Sequence, residues 1–109
     1  MLNREFTSYQ LKQIGSLSSF YAIRLYELMS QFHKLGQREC TLDQLRQMFD
    51  LGGKYQDVKD MRKRVLEPAL KELNAGTDLS VTAEPRRQGR KVIGFTFTIK
   101  KDDQMALSL

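Results

Sequence analysis

Apolar residues recur at helical spacing in two long stretches of the chain. In the first, between Ser16 and Gly36, they step by four and three residues along one face: Tyr21, Leu25, Leu28, Phe32 and Leu35, flanked by Ala22, Tyr26 and Met29. This spacing predicts a helix with one face in the core, because residues three and four apart lie on the same side of a helix. Ser18 or Ser19 is the expected N-cap, and Gly36 is the expected terminator.

The second stretch runs from Tyr55 to Gly76 and has the same spacing. It predicts another long helix, whose buried side is formed by these residues: Val58, Met61, Val65 and Ala69, continued by Leu66, Leu70 and Leu73. Pro68 conflicts with that helix, because proline removes one backbone hydrogen bond and clashes with the preceding turn. Either the helix kinks at Pro68 or a new helix begins there. The apolar stripe continues in phase across Pro68, which favours the kink.

Three shorter elements are predicted around these helices. Residues 6–15 carry Ser and Thr caps and end in glycine, which indicates a short helix. Residues 37–42 are a candidate brief strand. Thr41 then begins a helix over residues 42–51, with Gln44 completing a capping box. Two glycines after that helix break the chain before the second long helix.

After Gly76 the apolar period changes to that of a strand. Apolar and polar residues alternate in residues 78–84 and 91–100, with these apolar positions: Leu79, Val81, Ala83, Ile93, Phe95, Phe97 and Ile99. Such alternation is typical of half-buried strands, and a loop over residues 85–91 joins them as a hairpin. The predicted order is therefore helix, helix, short strand, helix, helix and hairpin.

This order predicts an α+β fold of the winged helix-turn-helix type. A short capped helix, a turn with glycine and a longer helix form the helix-turn-helix, and the hairpin behind it forms the wing. The chain of 109 residues has the length of one domain. We predict a winged-helix domain over residues 1–100 and a flexible tail over residues 101–109.

The formal charge of +5 is concentrated in the second half of the chain. Residues 1–50 carry six Lys and Arg against five Asp and Glu, whereas residues 51–101 carry twelve against six. A basic half beside a nearly neutral half suggests a surface for a polyanion. A charge excess that serves only solubility is the alternative.

The polar side of the second long helix and the residue before it carry the candidate DNA-binding residues: Lys54, Tyr55, Gln56, Lys59, Arg62, Lys63 and Arg64. A helix fits the major groove, and Gln, Lys and Arg can bond base edges and phosphates. Asp57 and Asp60 repel phosphate, so we expect them to hold neighbouring basic residues or to accept from cytosine. A solvated helix with ion pairs three and four residues apart would show the same pattern.

The predicted hairpin loop strengthens the DNA interpretation. Four of its seven residues are cationic: Arg86, Arg87, Arg90 and Lys91. Cations at a hairpin tip contribute little to folding, but near a phosphate backbone each can displace counterions. Gly89 permits a tight turn between them.

Three segments, residues 17–29, 55–81 and 89–100, resemble the C-terminal winged-helix domain of plasmid replication initiator (Rep) proteins, which bind repeated origin sequences called iterons. The resemblance covers residues 6–100 and is most specific in residues 21–28 and in residues 64–72. Members of this family usually carry two related winged-helix domains, and we expect only the second one here.

The resemblance implies a function and a set of partners. The helix matching residues 55–64 would enter the major groove of an iteron, with Arg62, Lys63 and Arg64 as the family's candidate contacts. Double-stranded iteron DNA, host replication proteins and a further Rep domain or copy would be the partners, in the bacterial cytoplasm. A transcriptional repressor and a winged-helix module that binds an acidic protein are the alternatives that use the same surface.

The sequence offers no pattern for catalysis, a cofactor or a metal. It lacks a Ser or Cys nucleophile arrangement with a supporting His and acid, and it lacks a phosphate-binding loop. The single Cys40 is expected to be a structural thiol at the end of a strand, and His33 an exposed residue without ligand partners. No apolar run is long enough to span a membrane. We therefore expect neither an enzyme nor a small-molecule site.

Overall fold

The computed structural model describes Gly15 and residues 17–101. The described elements follow one another in the predicted order: α1 (Phe20–Phe32), β1 (Gln37–Thr41), α2 (Leu42–Met48), α3 (Val58–Met61), a π turn (Arg62–Leu66), α4 (Glu67–Gly76), β2 (Leu79–Gln88) and β3 (Lys91–Lys101). Because α3, the π turn and α4 are continuous, we call residues 58–76 the long helix. The helix predicted over residues 6–15 and the predicted tail beyond Lys101 lie outside the described residues.

The strands form an antiparallel sheet of order β1–β3–β2. This arrangement confirms the brief strand and the hairpin that the sequence predicts. The helices pack on one face of the sheet, where the core contains Leu79 and Val81 from β2 and Phe95, Phe97 and Ile99 from β3. Except for Ile93, the apolar members of both strand alternations therefore lie on the core side, as half-buried strands require.

Helix α1 begins at its expected N-cap, since the Ser19 hydroxyl accepts from the Tyr21 and Ala22 backbone N–H groups at 3.1 and 3.4 Å. Its buried face is shifted from the predicted stripe, because Leu25 is joined in the core by the flanking residues Ala22, Tyr26 and Met29. Tyr21, Leu28 and Phe32 are only half-buried.

The expectation for Leu35 is wrong. Its side chain is 75% exposed, because α1 ends at Phe32 and Leu35 lies in the turn behind it. In that turn Gly36 has a positive φ of 78° and donates its N–H to Phe32 O at 3.1 Å. Gly36 therefore does terminate the helix, as predicted, but the helical spacing stops before Leu35.

Strand β3 contains a bulge that corrects another expectation. Arg86 is opposite Gly94 and Arg87 is opposite Val92, so Ile93 has no partner on β2. One extra residue on a strand reverses which side chains face the core beyond it. Val92 rather than Ile93 therefore packs against the core.

The conflict at Pro68 is resolved by a π turn. The helix stays continuous, and the Glu67 N–H donates to Arg62 O, five residues earlier. This wider turn lies immediately before Pro68, which has no N–H to donate and would clash with the carbonyl four residues back in a regular α-helix. The long helix therefore does not start anew at Pro68. Its distortion lies one turn earlier, at Arg62–Leu66.

Glu72 of α4 ties the long helix to the start of α1. Its carboxylate accepts hydrogen bonds from the Ser18 and Ser19 backbone N–H groups at 3.0 and 2.9 Å, and from the Ser18 hydroxyl at 3.0 Å. The pKa of Glu72 lies below its ordinary value. The main cause is the hydrogen bond from the Ser19 N–H, which stabilises the ionised carboxylate.

Candidate nucleic-acid interface

The long helix begins later than the sequence predicts. Asp57 is its N-cap, with its carboxylate accepting from the Lys59 N–H at 3.0 Å, and Val58 is the first helical residue. Tyr55 has a left-handed backbone with φ 54°, which no helix contains. The candidate residues Lys54, Tyr55 and Gln56 therefore lie in the segment that joins α2 to the long helix. We call residues 49–57 the connecting segment.

Two cations in the first two turns of the long helix point to solvent without an ionic partner among the described residues. Lys59 and Lys63 are exposed, and neither forms an ion pair with any described residue. The apolar residues Met61 and Val65 of the same helix are buried. The predicted separation of a core side from a basic side is therefore found in the structure.

The two arginines of this helix are held by neighbouring acids. Arg64 Nε lies 2.9 Å from Asp60 Oδ1, and Arg62 Nε lies 3.3 Å from Glu67 Oε2. The Arg62 guanidinium also lies over the Phe95 ring, 5.6 Å from its centroid. The second pair joins residues five apart, which the π turn brings onto one side of the helix.

The acids of this helix act on the protein itself. Asp57 caps the helix through its carboxylate, and Asp60 holds Arg64, which is one of the two roles that we expected for it. Both contacts reduce the repulsion that a nearby phosphate would meet, because each carboxylate already faces a donor.

The hairpin differs from the predicted seven-residue loop. Strand β2 continues through Gln88 and β3 begins at Lys91, so Gly89 and Arg90 alone form the turn. Gly89 has φ 64°, a left-handed conformation at the first position of a two-residue turn that glycine adopts without strain. The loop prediction failed because residues 85–88 lack the apolar alternation that marks a strand, yet they pair with β3.

The four cations of residues 86–91 fall into two classes. Arg86 Nη1 lies 3.0 Å from Glu39 Oε1 on β1, so its charge is paired across the sheet. Arg87, Arg90 and Lys91 are exposed at the tip and form no ion pair with any described residue. Arg87 Nη1 donates to Arg90 O at 3.4 Å, a contact that stays within the turn.

One groove joins the start of the long helix to the hairpin near its tip. It has a volume of about 490 Å³. Its polar lining comes from two elements, with Gln56, Asp57, Lys59 and Arg62 at the start of the long helix and Arg87 and Lys91 on the hairpin. Leu42, Val92 and Phe95 contribute its apolar surface. The basic side of the helix and the cationic hairpin therefore lie on the same side of the protein.

Arg46 of α2 is a residue of this region that the sequence did not reveal. Its guanidinium donates to three backbone carbonyl oxygens of the connecting segment, those of Gly52, Lys54 and Tyr55. An arginine in the last turn of a helix is usual near the negative end of the helix dipole. The contacts of Arg46 with the three carbonyls depend on the three-dimensional path of the connecting segment, so they cannot be deduced from the sequence.

The residues considered for other chemistry are structural. Cys40 is buried at 3% exposure, and burial raises the pKa of its thiol, which a contact with Arg38 opposes. His33 is half-buried rather than exposed, because its ring turns back to the last turn of α1, with Nδ1 2.9 Å from Ser30 O.

In the described ranges no group of three or more His, Cys, Asp or Glu is arranged to hold a metal ion. None of the described helices has the length and apolar character needed to span a membrane.

Family models match two parts of the chain. Residues 41–99 match the model described as "Initiator Rep protein, WH2", and residues 1–30 match the model described as "Initiator Replication protein, WH1". The first match covers every residue that lines the groove, from Leu42 of α2 to Phe95 of β3.

Relatives and a solved structure agree with these matches. A "Replication initiation protein" of Escherichia coli is 28% identical over 110 residues, which are 95% of this chain and 34% of that protein. A "Probable replication protein rep" of Bifidobacterium longum is 26% identical over 102 residues, 93% of this chain and 34% of that protein. The crystal structure of Pi initiator protein in complex with iteron DNA has a TM-score of 0.71 at 25% identity, covering 80% of this chain and 40% of that chain. The chain thus spans about a third of the length of these curated relatives.

Proposed function

The chain belongs to the initiator Rep protein family, and we propose that its winged-helix fold binds the repeated duplex sites of a plasmid origin. The observation that supports this function most strongly is the groove, which combines exposed cations of the long helix and of the hairpin. A duplex can bind across such a surface, with the long helix in its major groove and the hairpin on its phosphate backbone. The related Pi initiator protein was crystallised with iteron DNA.

We assign base reading to the long helix and the segment before it. Lys59 and Lys63 are exposed and without ionic partners among the described residues, so they can donate to guanine edges. Gln56 lines the groove beside them and can bond an adenine edge. Lys54 and Tyr55 precede the helix and can contact base edges beside its N-terminal end. Arg62 and Arg64 keep their ion pairs and support the neighbouring side chains.

We assign phosphate contacts to the hairpin. Arg87, Arg90 and Lys91 are concentrated around one tight turn, where three like charges attract a polyanion and repel one another. Contacts to phosphate fix the register of a protein on DNA but carry no sequence information. Arg86 contributes less, because Glu39 neutralises it.

The activities of the longer relatives are a wider proposal. Arrays of bound copies would help to open the origin and recruit host replication proteins in the bacterial cytoplasm, together with a further Rep domain or copy. The domain itself would bind DNA without catalysis and without a cofactor. Its energy for opening a duplex would then come from binding alone.

Selection of duplexes from a randomised pool tests the proposal directly. The wild-type chain should enrich one sequence, and its affinity for that duplex should fall with salt at a log–log slope of about −4 to −5, because about five phosphate contacts would each release counterions at about 0.9 per contact. Fluorescence anisotropy over a salt series measures this slope. Failure to bind any duplex at low salt would reject the proposal and favour a module that binds an acidic protein. Enrichment of a single promoter site, without repeats beside an origin, would favour a repressor.

A further inference from the structure

Arg46 lies at the end of α2, against the connecting segment. Its side chain forms hydrogen bonds to the backbone of that segment. The guanidinium donates to the carbonyl oxygens of Lys54 at 2.6 Å, Tyr55 at 2.8 Å and Gly52 at 3.4 Å. A guanidinium holds its N–H donors in a fixed fork, so it can bind several carbonyls only when the backbone follows one path.

The connecting segment needs such support because its backbone is unusual. Asp50, Gly52 and Tyr55 have φ values of 55°, 58° and 54°, in the left-handed region that is unfavourable for residues other than glycine. Its beginning is held by helix α2, since Leu51 N–H donates to Arg46 O at 3.0 Å and Asp50 N–H to Gln47 O at 3.1 Å. These two bonds form the Schellman motif that ends many helices.

Further along, the segment depends on the Arg46 side chain. The backbone bond from Lys54 N–H to Leu51 O, at 3.0 Å, closes one turn there. The carbonyls of Lys54 and Tyr55 instead point to the guanidinium of Arg46. Arg46 forms no ion pair with any described carboxylate. Within the described part of the chain, its charge is therefore directed to this backbone.

We propose that Arg46 is a positioning residue for sequence-specific DNA binding, which fixes the path of residues 52–57 and thereby the approach of Gln56 and Lys59 to the groove. The inference rests on the proposed function, which it deepens by naming a residue that sets specificity without contacting a base. Without the hydrogen bonds from Arg46, only a fraction of the molecules would hold the segment in the arrangement that binds the specific duplex. The apparent affinity would then equal the intrinsic affinity multiplied by that fraction.

The effect should appear on specific binding alone. Phosphate contacts by the hairpin do not require the connecting segment, so binding to an unrelated duplex should be unaffected. The salt slope should also stay unchanged, because no phosphate contact is lost. A residue that only stabilised the fold would weaken binding to both duplexes together.

The charge-conserving variant Arg46→Lys tests this in the full 109-residue chain. The probes are the duplex that the wild-type chain selects from a randomised pool and a scrambled duplex of the same length. We expect about a tenfold loss of affinity for the selected duplex, as the net loss of one hydrogen bond to a charged group would give. Affinity for the scrambled duplex should stay within about twofold, with the salt slope unchanged.

Arg38→Lys is the matched control. Arg38 is also half-buried, and its guanidinium lies 4.5 Å from the centroid of the Phe32 ring, a contact outside the connecting segment and the hairpin. This variant should bind both duplexes as the wild type does. If Arg46→Lys does not melt cooperatively, Arg46→Gln replaces it, with the same expected loss in the ratio of the two affinities.

Three results would overturn the inference. Unchanged affinity of Arg46→Lys for the selected duplex would show that the guanidinium contacts are dispensable. Equal losses on both duplexes with a less negative salt slope would show that Arg46 contacts phosphate. A wild-type chain that selects no duplex would reject the proposed function and this inference with it, whereas the first two results leave that function intact.

Discussion

Residues 58–66 of the long helix and residues 86–91 of the hairpin carry four cations each, but they hold these cations differently. On the helix Arg62 and Arg64 pair with acids five and four residues away, whereas Lys59 and Lys63 form no ion pair with a described residue. In residues 86–91 of the hairpin, Arg86 alone has a described ionic partner, Glu39, which is 47 residues away in sequence.

This difference shows what a count of basic residues can and cannot indicate. Counterion release depends on cations that face the phosphates without a neighbouring carboxylate. Five of the eight candidates have no ionic partner within the described chain: Lys59, Lys63, Arg87, Arg90 and Lys91. The helix pairs can be suspected from their spacing, but the hairpin pair depends on how β1 and β2 flank β3.

The largest effect is expected from the sheet that supports the hairpin. An added Cβ on Gly94 would collide with the carbonyl oxygen of Cys40, a backbone atom of the neighbouring strand β1 that cannot move without disturbing the sheet. Gly94→Ala should therefore lower the free energy of unfolding by about 3 kcal/mol, measured by urea denaturation. At Gly53 the nearest atom, Gln56 Nε2, is 3.8 Å away, so Gly53→Ala should change stability by less than about 0.5 kcal/mol. Equal effects of the two variants would contradict the close approach of β1 to β3.

The next effect tests base reading by the helix. The double variant Lys59→Ala/Lys63→Ala should lose about 100-fold in affinity for the selected duplex, because two base contacts worth about 1.4 kcal/mol each would be removed. Affinity for a scrambled duplex should fall far less. Competition binding measures the ratio of the two affinities, and an unchanged ratio would show that these lysines do not read bases.

A smaller effect is expected from the cations at the hairpin tip. Arg87→Ala/Arg90→Ala should reduce affinity for selected and scrambled duplexes alike, by about tenfold at moderate salt. The salt slope should become less negative by about 1.8, because two phosphate contacts would be lost. Lys100→Ala, which removes one exposed cation at the far end of β3, is the control and should leave the slope unchanged. A loss confined to the selected duplex would contradict the assignment of the tip to phosphate.

The smallest effect distinguishes paired from unpaired charge within the hairpin. Arg86→Ala should alter DNA affinity by less than about twofold, since its charge is offset by Glu39, and exposed pairs of this kind contribute at most about 1 kcal/mol. Glu39→Gln should instead raise affinity for any duplex by about two- to threefold by releasing Arg86. Anisotropy titrations at low salt resolve such changes. A larger loss of DNA affinity for Arg86→Ala than for Arg87→Ala/Arg90→Ala would contradict the division into a paired Arg86 and unpaired cations at the tip.

The sequence predicted the elements whose signals are local. Helical spacing located α1 and the long helix, alternation located the hairpin strands, and the Thr41–Gln44 capping box is present, with bonds of 2.9 and 3.1 Å. These signals succeed because burial of one side requires a fixed period along the chain.

The remaining features depend on geometry that no period carries. Tyr55 was included in the helix because a left-handed residue has no sequence signature outside glycine, aspartate and asparagine. The π turn before Pro68 and the bulge at Ile93 each shift the side-chain register by one residue. The partners of Arg46 and Arg86 are set by the path of the connecting segment and by the strand order, and neither can be deduced from spacing alone.

The central claim is that one side of the protein, formed by the start of the long helix and the hairpin tip, contacts the duplex. Amide chemical shifts of the ¹⁵N-labelled chain, followed during titration with the selected duplex, test this most directly. The largest changes should occur in residues 54–64 and 86–91. Changes centred on the opposite part of the sheet, at Ser80, Thr82 and Thr98, with residues 54–64 unaffected, would contradict it.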